Sequence, residues 1–349
     1  MSRRRPATAV LASLGCYSPA TGGRGRGVTI ARLAPDRIDL LAVIDAPSPS
    51  FLAWAPDGHV VYAAHETSTG SVGAYRYGRN RLTPLGDVPS EGARPCHVVV
   101  HPSGRFLACA NYGGGTFTTI QIRDDGTLGP TTGVIAHHGT GPDPTRQNLP
   151  HPHQVAFTPD GDTALLTDIS LDTVSVHPVD ALARRIAPQP RQVLRLPRGS
   201  GPRHLARLAD GTLVMVHELD ATVSVLRWSE GRLMIQATRH PTTADGGPGA
   251  WPSEITPFGP DRFLIGNRRT GSLSIHRLAL ARDGLTQERE IPIPPANVRH
   301  LAVVDGTAYV ALQDTDMIAA IDLGTGRTTA TAATGSPACV APRPITGHA

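Results

Sequence analysis

The sequence contains no lysine, since all 33 of its basic residues other than histidine are arginine. The absence of a lysine amine excludes Schiff-base chemistry and a Walker-type phosphate loop. Aromatic residues are only 4% of the chain, and no long basic stripe or RNP-type motif accompanies the net charge of +4. No apolar run approaches the roughly 18 residues of a membrane span. We therefore expect neither nucleic acid nor a membrane as a partner.

Cysteine is also scarce, and the four cysteines show no CxxC or zinc-site spacing, which favours buried, reduced thiols. The N-terminal stretch MSRRRPATAVLASLGC loosely resembles a signal peptide. However, its apolar run is short and interrupted, and no small-residue cleavage pattern follows it. We predict instead that ATAVLASLGCYS, residues 7–18, forms the first strand of the fold, and that the protein is cytoplasmic.

Glycine and proline are abundant, with 37 and 32 residues spread along the chain, as expected for short strands joined by tight turns. Six segments share one plan: an apolar strand, a Pro-Asp-Gly-like turn, a second apolar strand and then a V-x-V strand. These segments lie at 48–66, 94–115, 151–172, 201–220, 251–272 and 297–316. Their starts are 46 to 57 residues apart, which is the length of one four-stranded propeller blade.

A weaker seventh unit at 7–33 completes the prediction of an all-β, seven-bladed β-propeller with four-stranded antiparallel blades. The short apolar strand SPACVAP, residues 336–342, has no unit of its own, and we expect it to pair with the N-terminal unit and close the ring. The chain is then one domain, 1–349, with blades near 7–47, 48–93, 94–150, 151–200, 201–250, 251–296 and 297–342. A closed ring needs no partner chain, so we expect a monomer.

The turn glycines at 58, 104, 161, 211 and 306 set the register of five hairpins. Seven residues after each glycine stands a polar residue, and we predict that these five share one position at the end of the second strand: His65, Asn111, Asp168, Glu218 and Gln313. Close to the start of the first strand stand Ser50, Cys96, His153, Arg203 and Arg299. Both sets lie at the same edge of their hairpins, so a radial arrangement of blades gathers them around one mouth of the central channel.

The sixth blade lacks the turn glycine, and its register is therefore ambiguous. Matching Arg262-Phe263-Leu264 to the third blade puts Arg268 at the shared position, whereas matching Pro260-Asp261 puts Arg269 there. We favour Arg268.

The predicted mouth combines arginines with one imidazole and one carboxylate, namely His153, Arg203, Glu218 and Arg268, surrounded by Arg299, Asn111, Asp168 and Gln313. Guanidinium groups bind carboxylate or phosphate in a bidentate manner, and they can stabilise an oxyanion that develops on a lactone carbonyl. A histidine or a glutamate can move a proton to or from water. This combination indicates a small anionic substrate.

A plainer interpretation is that polar residues at blade ends only cap strands, which applies most to Asn111, Asp168 and Gln313. It applies less to Arg203 with Glu218, because an arginine buried near the channel axis is costly unless an anion accompanies it.

A metal site is a further alternative, since His151 and His153 face the same way on a strand and His137-His138 lie upstream. No convergent carboxylate cluster is identifiable, so we predict no metal and no cofactor. Nucleophilic Ser-His-Asp catalysis has little support, because no nucleophile elbow surrounds a serine.

Five motifs are specific when taken together: HHGTGPDPTRQNLPHPHQVAFTPDG (137–161), ANYGGGTFTTIQI (110–122), GSGPRHLA (199–206), VHELDATVSV (216–225) and GNRRTGSLSI (266–275). On these motifs, and from about residue 10 to 342, the sequence resembles the lactonase family of seven-bladed β-propellers. This family includes the propeller-type 6-phosphogluconolactonases and the fungal carboxy-muconate lactonizing enzyme.

The resemblance implies a metal-independent active site at one end of the channel, with residues that match His153, Arg203, Glu218 and Arg268. The doubled arginine at 268–269 departs from the family pattern and leaves the fourth match open between the two positions. Arg146-Gln147 also matches a family motif, in a loop that approaches the mouth, so Arg146 is expected to contact the substrate.

The implied activity is hydrolysis of an anionic sugar lactone, 6-phospho-glucono-1,5-lactone, to 6-phosphogluconate, a step of the pentose phosphate pathway. Arg203 and Arg268 would hold the anion or the developing oxyanion, and either Glu218 or His153 would be the general base. One alternative is a cycloisomerase or lactonase acting on a carboxylated muconolactone. Another is a non-catalytic ligand-binding propeller, since this fold hosts many functions.

Overall fold

The structure, a computed structural model, describes residues 9–247, 249–279, 284–293 and 297–344, including all their side chains except those of 237–239. This part of the chain forms 29 β-strands and one short 3₁₀ helix at Pro19–Thr21. In chain order the strands are β1 (Val10–Cys16), β2 (Gly27–Ala34), β3 (Arg37–Asp45), β4 (Pro49–Trp54), β5 (Val60–His65), β6 (Ser71–Gly78), β7 (Arg81–Pro89), β8 (Pro95–Val100), β9 (Phe106–Asn111), β10 (Thr116–Ile122), β11 (Leu128–Ala136), β12 (Pro152–Phe157), β13 (Thr163–Asp168), β14 (Thr173–Asp180), β15 (Arg185–Ile186), β16 (Gln192–Arg195), β17 (Pro202–Arg207), β18 (Leu213–His217), β19 (Thr222–Ser229), β20 (Arg232–Pro241), β21 (Pro252–Phe258), β22 (Arg262–Asn267), β23 (Ser272–Ala279), β24 (Gly284–Pro292), β25 (Val298–Val304), β26 (Thr307–Leu312), β27 (Met317–Asp322), β28 (Thr328–Ala333) and β29 (Pro337–Pro342).

These strands form seven antiparallel sheets, which are the blades of a propeller. From the channel outwards the blades are β29-β1-β2-β3, β4-β5-β6-β7, β8-β9-β10-β11, β12-β13-β14 with β15 and β16 both paired to β14, β17-β18-β19-β20, β21-β22-β23-β24 and β25-β26-β27-β28. The first strand of each blade contacts the first strands of the blades on both sides. The predicted all-β, seven-bladed architecture is confirmed.

The ring closes through the two ends of the chain, as the sequence predicts. Strand β29 pairs antiparallel with β1, with Val340 opposite Leu14, and so becomes the innermost strand of the first blade. The apolar run near the N-terminus is therefore the second strand of that blade, Val10–Cys16. Residues 1–8, which carry the arginines of the signal-like pattern, lie outside the described residues.

The core lies between blades, because a blade is packed on both faces. Strand β5, VVYAAH, is buried at every position, which explains why the inner strands are continuously apolar, whereas outermost β7 alternates between exposed and partly buried residues. Seven apolar clusters each join two neighbouring blades, and together they run once around the ring.

The five turn glycines all have positive φ, from 68° at Gly58 to 89° at Gly211, as expected for tight hairpins. However, the prediction of one shared position for five polar residues is wrong. The backbone partners of Pro49, Pro95 and Pro152 are His65, Asn111 and Asp168. The partners of Pro202 and Val298, at the same place in the fifth and seventh blades, are His217 and Leu312.

Glu218 and Gln313 therefore stand one residue beyond the position that the turn glycines predict. In these two hairpins the paired residue on the second strand comes one position sooner after the turn glycine than in the second, third and fourth blades. Successive side chains of a strand point to opposite faces, so a slip of one residue changes what each side chain faces.

Candidate active site

Two rings of side chains, one residue from each blade, meet at the mouth of the channel. The outer one, called here the mouth ring, follows the second strand of each hairpin and consists of Tyr17, Glu66, Tyr112, Ile169, Glu218, Arg268 and Gln313. The backbone N–H of each donates to the carbonyl of the residue directly before the inner strand, which shows that the seven positions are equivalent.

The second ring, called the bulge ring, lies on the inner strands, where the register shifts by one residue: Ala338, Ser50, Cys96, His153, Arg203, Ser253 and Arg299. A β-bulge leaves one residue unpaired and re-aims its side chain. The sequence analysis placed five residues of the bulge ring at the mouth, but it missed Tyr17, Glu66 and Tyr112 of the mouth ring. A count from the paired end of each strand rather than from the turn glycine would have found them.

The carboxylate of Glu218 binds three arginines. Nε of Arg203 donates to Oε2 at 3.0 Å, Nη2 of Arg268 lies 2.6 Å from the same oxygen, and Nη2 of Arg146 donates to Oε1. Glu218 and Arg203 are both 3% exposed. Burial by itself would raise the pKa of Glu218, but the three guanidinium groups outweigh it and hold that pKa well below its ordinary value. Glu218 is therefore an anion with little affinity for a proton.

His153 lies beside this cluster and is neutral. Its ring is edge-on to the rings of Tyr112 and His204, with centroids 6.0 and 4.9 Å away. Burial, followed by the positive charge of Arg203, lowers the pKa of His153 well below its ordinary value. Nδ1 of His153 is buried and has no hydrogen-bond partner within the described part of the chain. The imidazole thus keeps a ring nitrogen without a protein partner in this part of the chain, whereas the Glu218 carboxylate is occupied.

Trp251 organises the arginines at the rim. Arg269 is exposed and lies over the indole, 3.5 Å from the ring centroid, while Arg146 lies 4.7 Å from it. Arg268 donates from Nε to the Trp251 carbonyl at 3.0 Å and points its terminal nitrogen at Glu218. The structure therefore brings Arg268, and not Arg269, into contact with Glu218.

The other half of the mouth is a cavity of about 630 Å³ that is lined mainly by the seventh, first and second blades. Arg299 donates from Nη2 to the Tyr17 hydroxyl at 2.6 Å, and that hydroxyl donates to Oε2 of Glu66 at 3.0 Å. Burial raises the pKa of Tyr17 above its ordinary value, so the phenol keeps its proton. Gln313 and Arg268 also line this cavity, which joins it to the Glu218 cluster.

Asn111 and Asp168 do not reach the mouth. The Asn111 amide donates to the Ser90 carbonyl at 2.7 Å and to two threonine hydroxyls of β10. The Asp168 carboxylate accepts from His137 at 2.8 Å and from the backbone N–H groups of His151, Ser170 and Leu171. Both side chains are fully buried, and these contacts are the strand capping that the sequence left open as an alternative.

A layer of buried titratable groups lies deeper in the channel. Oε2 of Glu254 is 2.9 Å from Nδ1 of His204 and 3.2 Å from Nε2 of His300. The His97 and His204 rings are 5.6 Å apart. Burial raises the pKa of Glu254 and lowers that of His300 to about 4. The sequence analysis overlooked this layer, although a histidine directly follows the bulge residue in three blades.

The described residues contain no group of three or more His, Cys, Asp or Glu side chains arranged to hold a metal ion. His151, a candidate ligand, instead stacks on Tyr112 with ring centroids 4.1 Å apart and contacts its carbonyl through Nδ1. Within the described residues, no helix is long and apolar enough to cross a membrane.

Comparison with solved structures finds the same fold in bacterial proteins. A Bacteroides fragilis protein superposes with a TM-score of 0.88 at 24% identity, covering 98% of this chain and 99% of its own. A periplasmic gluconolactonase from Pseudomonas aeruginosa superposes with a TM-score of 0.87 at 24% identity, covering 96% and 99%.

Sequence comparison finds more limited matches. An uncharacterized Lactococcus lactis subsp. cremoris protein is 28% identical over 264 residues, which are 73% of this chain and 75% of its length. A 6-phosphogluconolactonase from Bacillus subtilis is 29% identical over 168 residues, 46% of this chain and 45% of that enzyme.

The model of one family covers nearly the whole chain. This family is described as lactonase, 7-bladed beta-propeller, and it matches residues 12–342, which include all seven blades and both rings at the mouth. The chain therefore belongs to the lactonase family of seven-bladed β-propellers.

Proposed function

We propose that this protein is a lactonase that hydrolyses an anionic sugar lactone, 6-phospho-glucono-1,5-lactone, to 6-phosphogluconate. The observation that carries the proposal is the arrangement of three arginines on Glu218 beside the neutral imidazole of His153, at the mouth of a cavity with further arginines. The Bacillus subtilis relative named 6-phosphogluconolactonase supports the choice of substrate.

In this reaction His153 is the general base. The imidazole takes a proton from water, whose oxygen forms a bond to the lactone carbonyl carbon, and the carbonyl oxygen becomes an oxyanion. Arg203 and Arg268 stabilise that oxyanion. The bond from this carbon to the ring oxygen then breaks, and the imidazolium returns its proton to the leaving alkoxide. Glu218 holds the arginines in place, because both of its oxygens are already occupied and its proton affinity is low.

The test is hydrolysis of freshly made 6-phosphogluconolactone by purified protein, followed through a coupled 6-phosphogluconate dehydrogenase and compared with the spontaneous rate. His153→Asn should lower kcat by roughly 10²- to 10⁴-fold, the usual contribution of a general base. His59→Asn, at an exposed hairpin turn, is the matched control. No activity above the spontaneous rate would rule out the phosphorylated lactone as substrate.

The His153→Asn variant separates the two candidate bases, and the pH dependence tests whether the base is deprotonated at neutral pH. If His153 is the base, kcat/KM should fall on the acid side with an apparent pKa below 6.5, because burial and Arg203 lower the pKa of His153 from that value. Full activity in His153→Asn would return the role to Glu218.

A cytoplasmic location stays a prediction. The apolar run of the signal-like N-terminus is strand β1 of the first blade, while one of the solved relatives is a periplasmic gluconolactonase.

A further inference from the structure

We propose that the cavity on the Tyr17–Arg299 side of the mouth is the binding subsite for the phosphomonoester of the substrate, with Arg299 and Arg94 as its ligands. This inference rests on the proposed function, and it deepens it by naming the residues that would select a phosphorylated over an unphosphorylated lactone. Tyr17 and Glu66 are positioning residues that fix the Arg299 guanidinium.

The charges on the cavity wall favour an anion. Four arginines line the cavity, against two acidic residues: Arg24, Arg94, Arg268 and Arg299, with Glu66 and Asp314. The three arginines on Glu218 already share a carboxylate, and Arg24 is paired with Asp316 at 2.6 Å. Within the described residues, Arg94 and Arg299 take part in no ion pair. These two guanidinium groups are therefore the ones available to an incoming dianion.

Arg299 is held in a fixed orientation and, within the described residues, forms no direct ion pair, although the Glu66 and Glu218 carboxylates attract its charge from a distance. Its Nη2 donates to the Tyr17 hydroxyl, which in turn donates to Glu66, so the hydrogen-bond path from the guanidinium to the carboxylate runs through a neutral phenol. The guanidinium also lies 5.6 Å from the centre of the Tyr17 ring. An arginine that is pre-organised in this way loses little side-chain entropy when it binds a phosphate.

Arg94 also lines the cavity and is more exposed than Arg299. Its side-chain stem lies close to Gly113, since a Cβ placed on that glycine would come within 3.2 Å of it. The side chain of Arg94 therefore packs against Gly113, where a larger residue would displace it. Asn297 and Gln313 line the space between the arginines and supply amides for sugar hydroxyls.

The cavity also connects to the reacting end of the site. Arg268 lines the cavity and at the same time contacts Glu218 at 2.6 Å. A substrate with its phosphate on Arg94 and Arg299 can therefore extend past Arg268 toward His153. One end of the molecule is then bound by residues of the first, second, third and seventh blades, and the other end by residues of the fourth, fifth and sixth.

The experiment measures selectivity rather than activity alone. We would determine kcat/KM for 6-phosphogluconolactone and for unphosphorylated glucono-1,5-lactone, and Kd for the stable products 6-phosphogluconate and gluconate by calorimetry at fixed ionic strength. The variants are Arg94→Gln, Arg299→Gln and Tyr17→Phe. The control is Arg277→Gln, which removes the same charge from an exposed ion pair with Asp261 at the opposite end of the sixth blade.

We expect the wild-type protein to prefer the phosphorylated compounds, and this preference to fall by roughly 10- to 100-fold in Arg94→Gln and in Arg299→Gln, as for the loss of a charge-assisted hydrogen bond. Tyr17→Phe should lower the preference through KM more than through kcat. Arg277→Gln should keep it. Because Arg94 is exposed, its variant tests the proposal even if Arg299→Gln fails to fold.

Equal kcat/KM values for both lactones in the wild-type protein, or an unchanged preference in Arg94→Gln, would overturn the proposed subsite. The proposal of lactonase activity would still stand. Equal losses in Arg94→Gln and Arg277→Gln would also overturn it, since the effect would then be one of net charge. Absence of hydrolysis together with Arg94-dependent binding of 6-phosphogluconate would support the subsite and reject the proposed reaction. Arg94-dependent selection of a carboxylated lactone instead would reject the phosphate assignment.

Discussion

Replacing Glu218 with glutamine removes the one carboxylate that three guanidinium groups share. Arg203, Arg268 and Arg146 are 3%, 12% and 26% exposed at the side chain, and Glu218 is 4% exposed. Removal of one partner from a buried ion pair costs about 3–5 kcal/mol, because the remaining charge is left uncompensated. We expect Glu218→Gln to lower the free energy of unfolding by about this amount at neutral pH.

The same substitution should make stability depend on anions. In Glu218→Gln the three arginines lack an anionic partner, so inorganic phosphate that binds beside them in the native state only should restore stability by RT ln(1 + [L]/Kd). This gain reaches about 2.7 kcal/mol at a phosphate concentration of about 100 times Kd. The wild-type protein, in which Glu218 occupies the arginines, should gain less at this site.

The assay is urea denaturation with and without phosphate, at constant ionic strength. Glu288→Gln is the matched control, since Glu288 contacts Arg262 at 2.9 Å in a partly exposed pair, for which a loss below about 1 kcal/mol is expected. If Glu218→Gln costs no more than Glu288→Gln, or if phosphate stabilises it no more than the wild-type protein, the assignment of Glu218 as the central counter-ion is incorrect.

Three further outcomes are expected. Arg268→Ala should lower kcat/KM for the lactone by roughly 10²- to 10³-fold, because an oxyanion donor is lost. Arg269→Ala should lower kcat/KM by about fivefold or less, the size of an exposed cation–π contact. Similar losses in both variants would contradict the placement of Arg268. Urea denaturation should show that the free energy of unfolding falls between pH 6.5 and about 4. In this range histidines of the unfolded chain become protonated while the buried histidines of the native state stay neutral, and each contributes up to about 3 kcal/mol. A free energy of unfolding that is constant or rises toward acid would contradict this. The histidines whose pKa burial lowers to about 4 are His65, His276 and His300. A chain that ends before residue 337 lacks β29 and leaves β1 unpaired, so it should lose cooperative thermal unfolding, which a chain that ends at 344 should retain.

Blade number and ring closure could be predicted because they depend on local patterns. Apolar runs separated by glycine turns at 46- to 57-residue intervals identify the blades, and SPACVAP is an inner strand without neighbours of its own in the chain. Each of these signals lies within a few residues, so no long-range information is needed. The pairing of Arg203 with Glu218 was also within reach, since both lie on one hairpin.

What the sequence alone could not determine was which side chains face the mouth. Turn glycines mark where a hairpin reverses, but in the fifth and seventh blades the second strand reaches the equivalent pair one residue sooner after the glycine, and backbone pairing alone reveals this. That single residue separates Asp168, which caps strands, from Glu218, which binds arginines, because side-chain direction alternates along a strand. The contacts of Arg146 with Glu218 and of Tyr17 with Arg299 join residues 72 and 282 positions apart. Only the closed ring brings such distant residues together, so the tertiary structure decided the composition of the site.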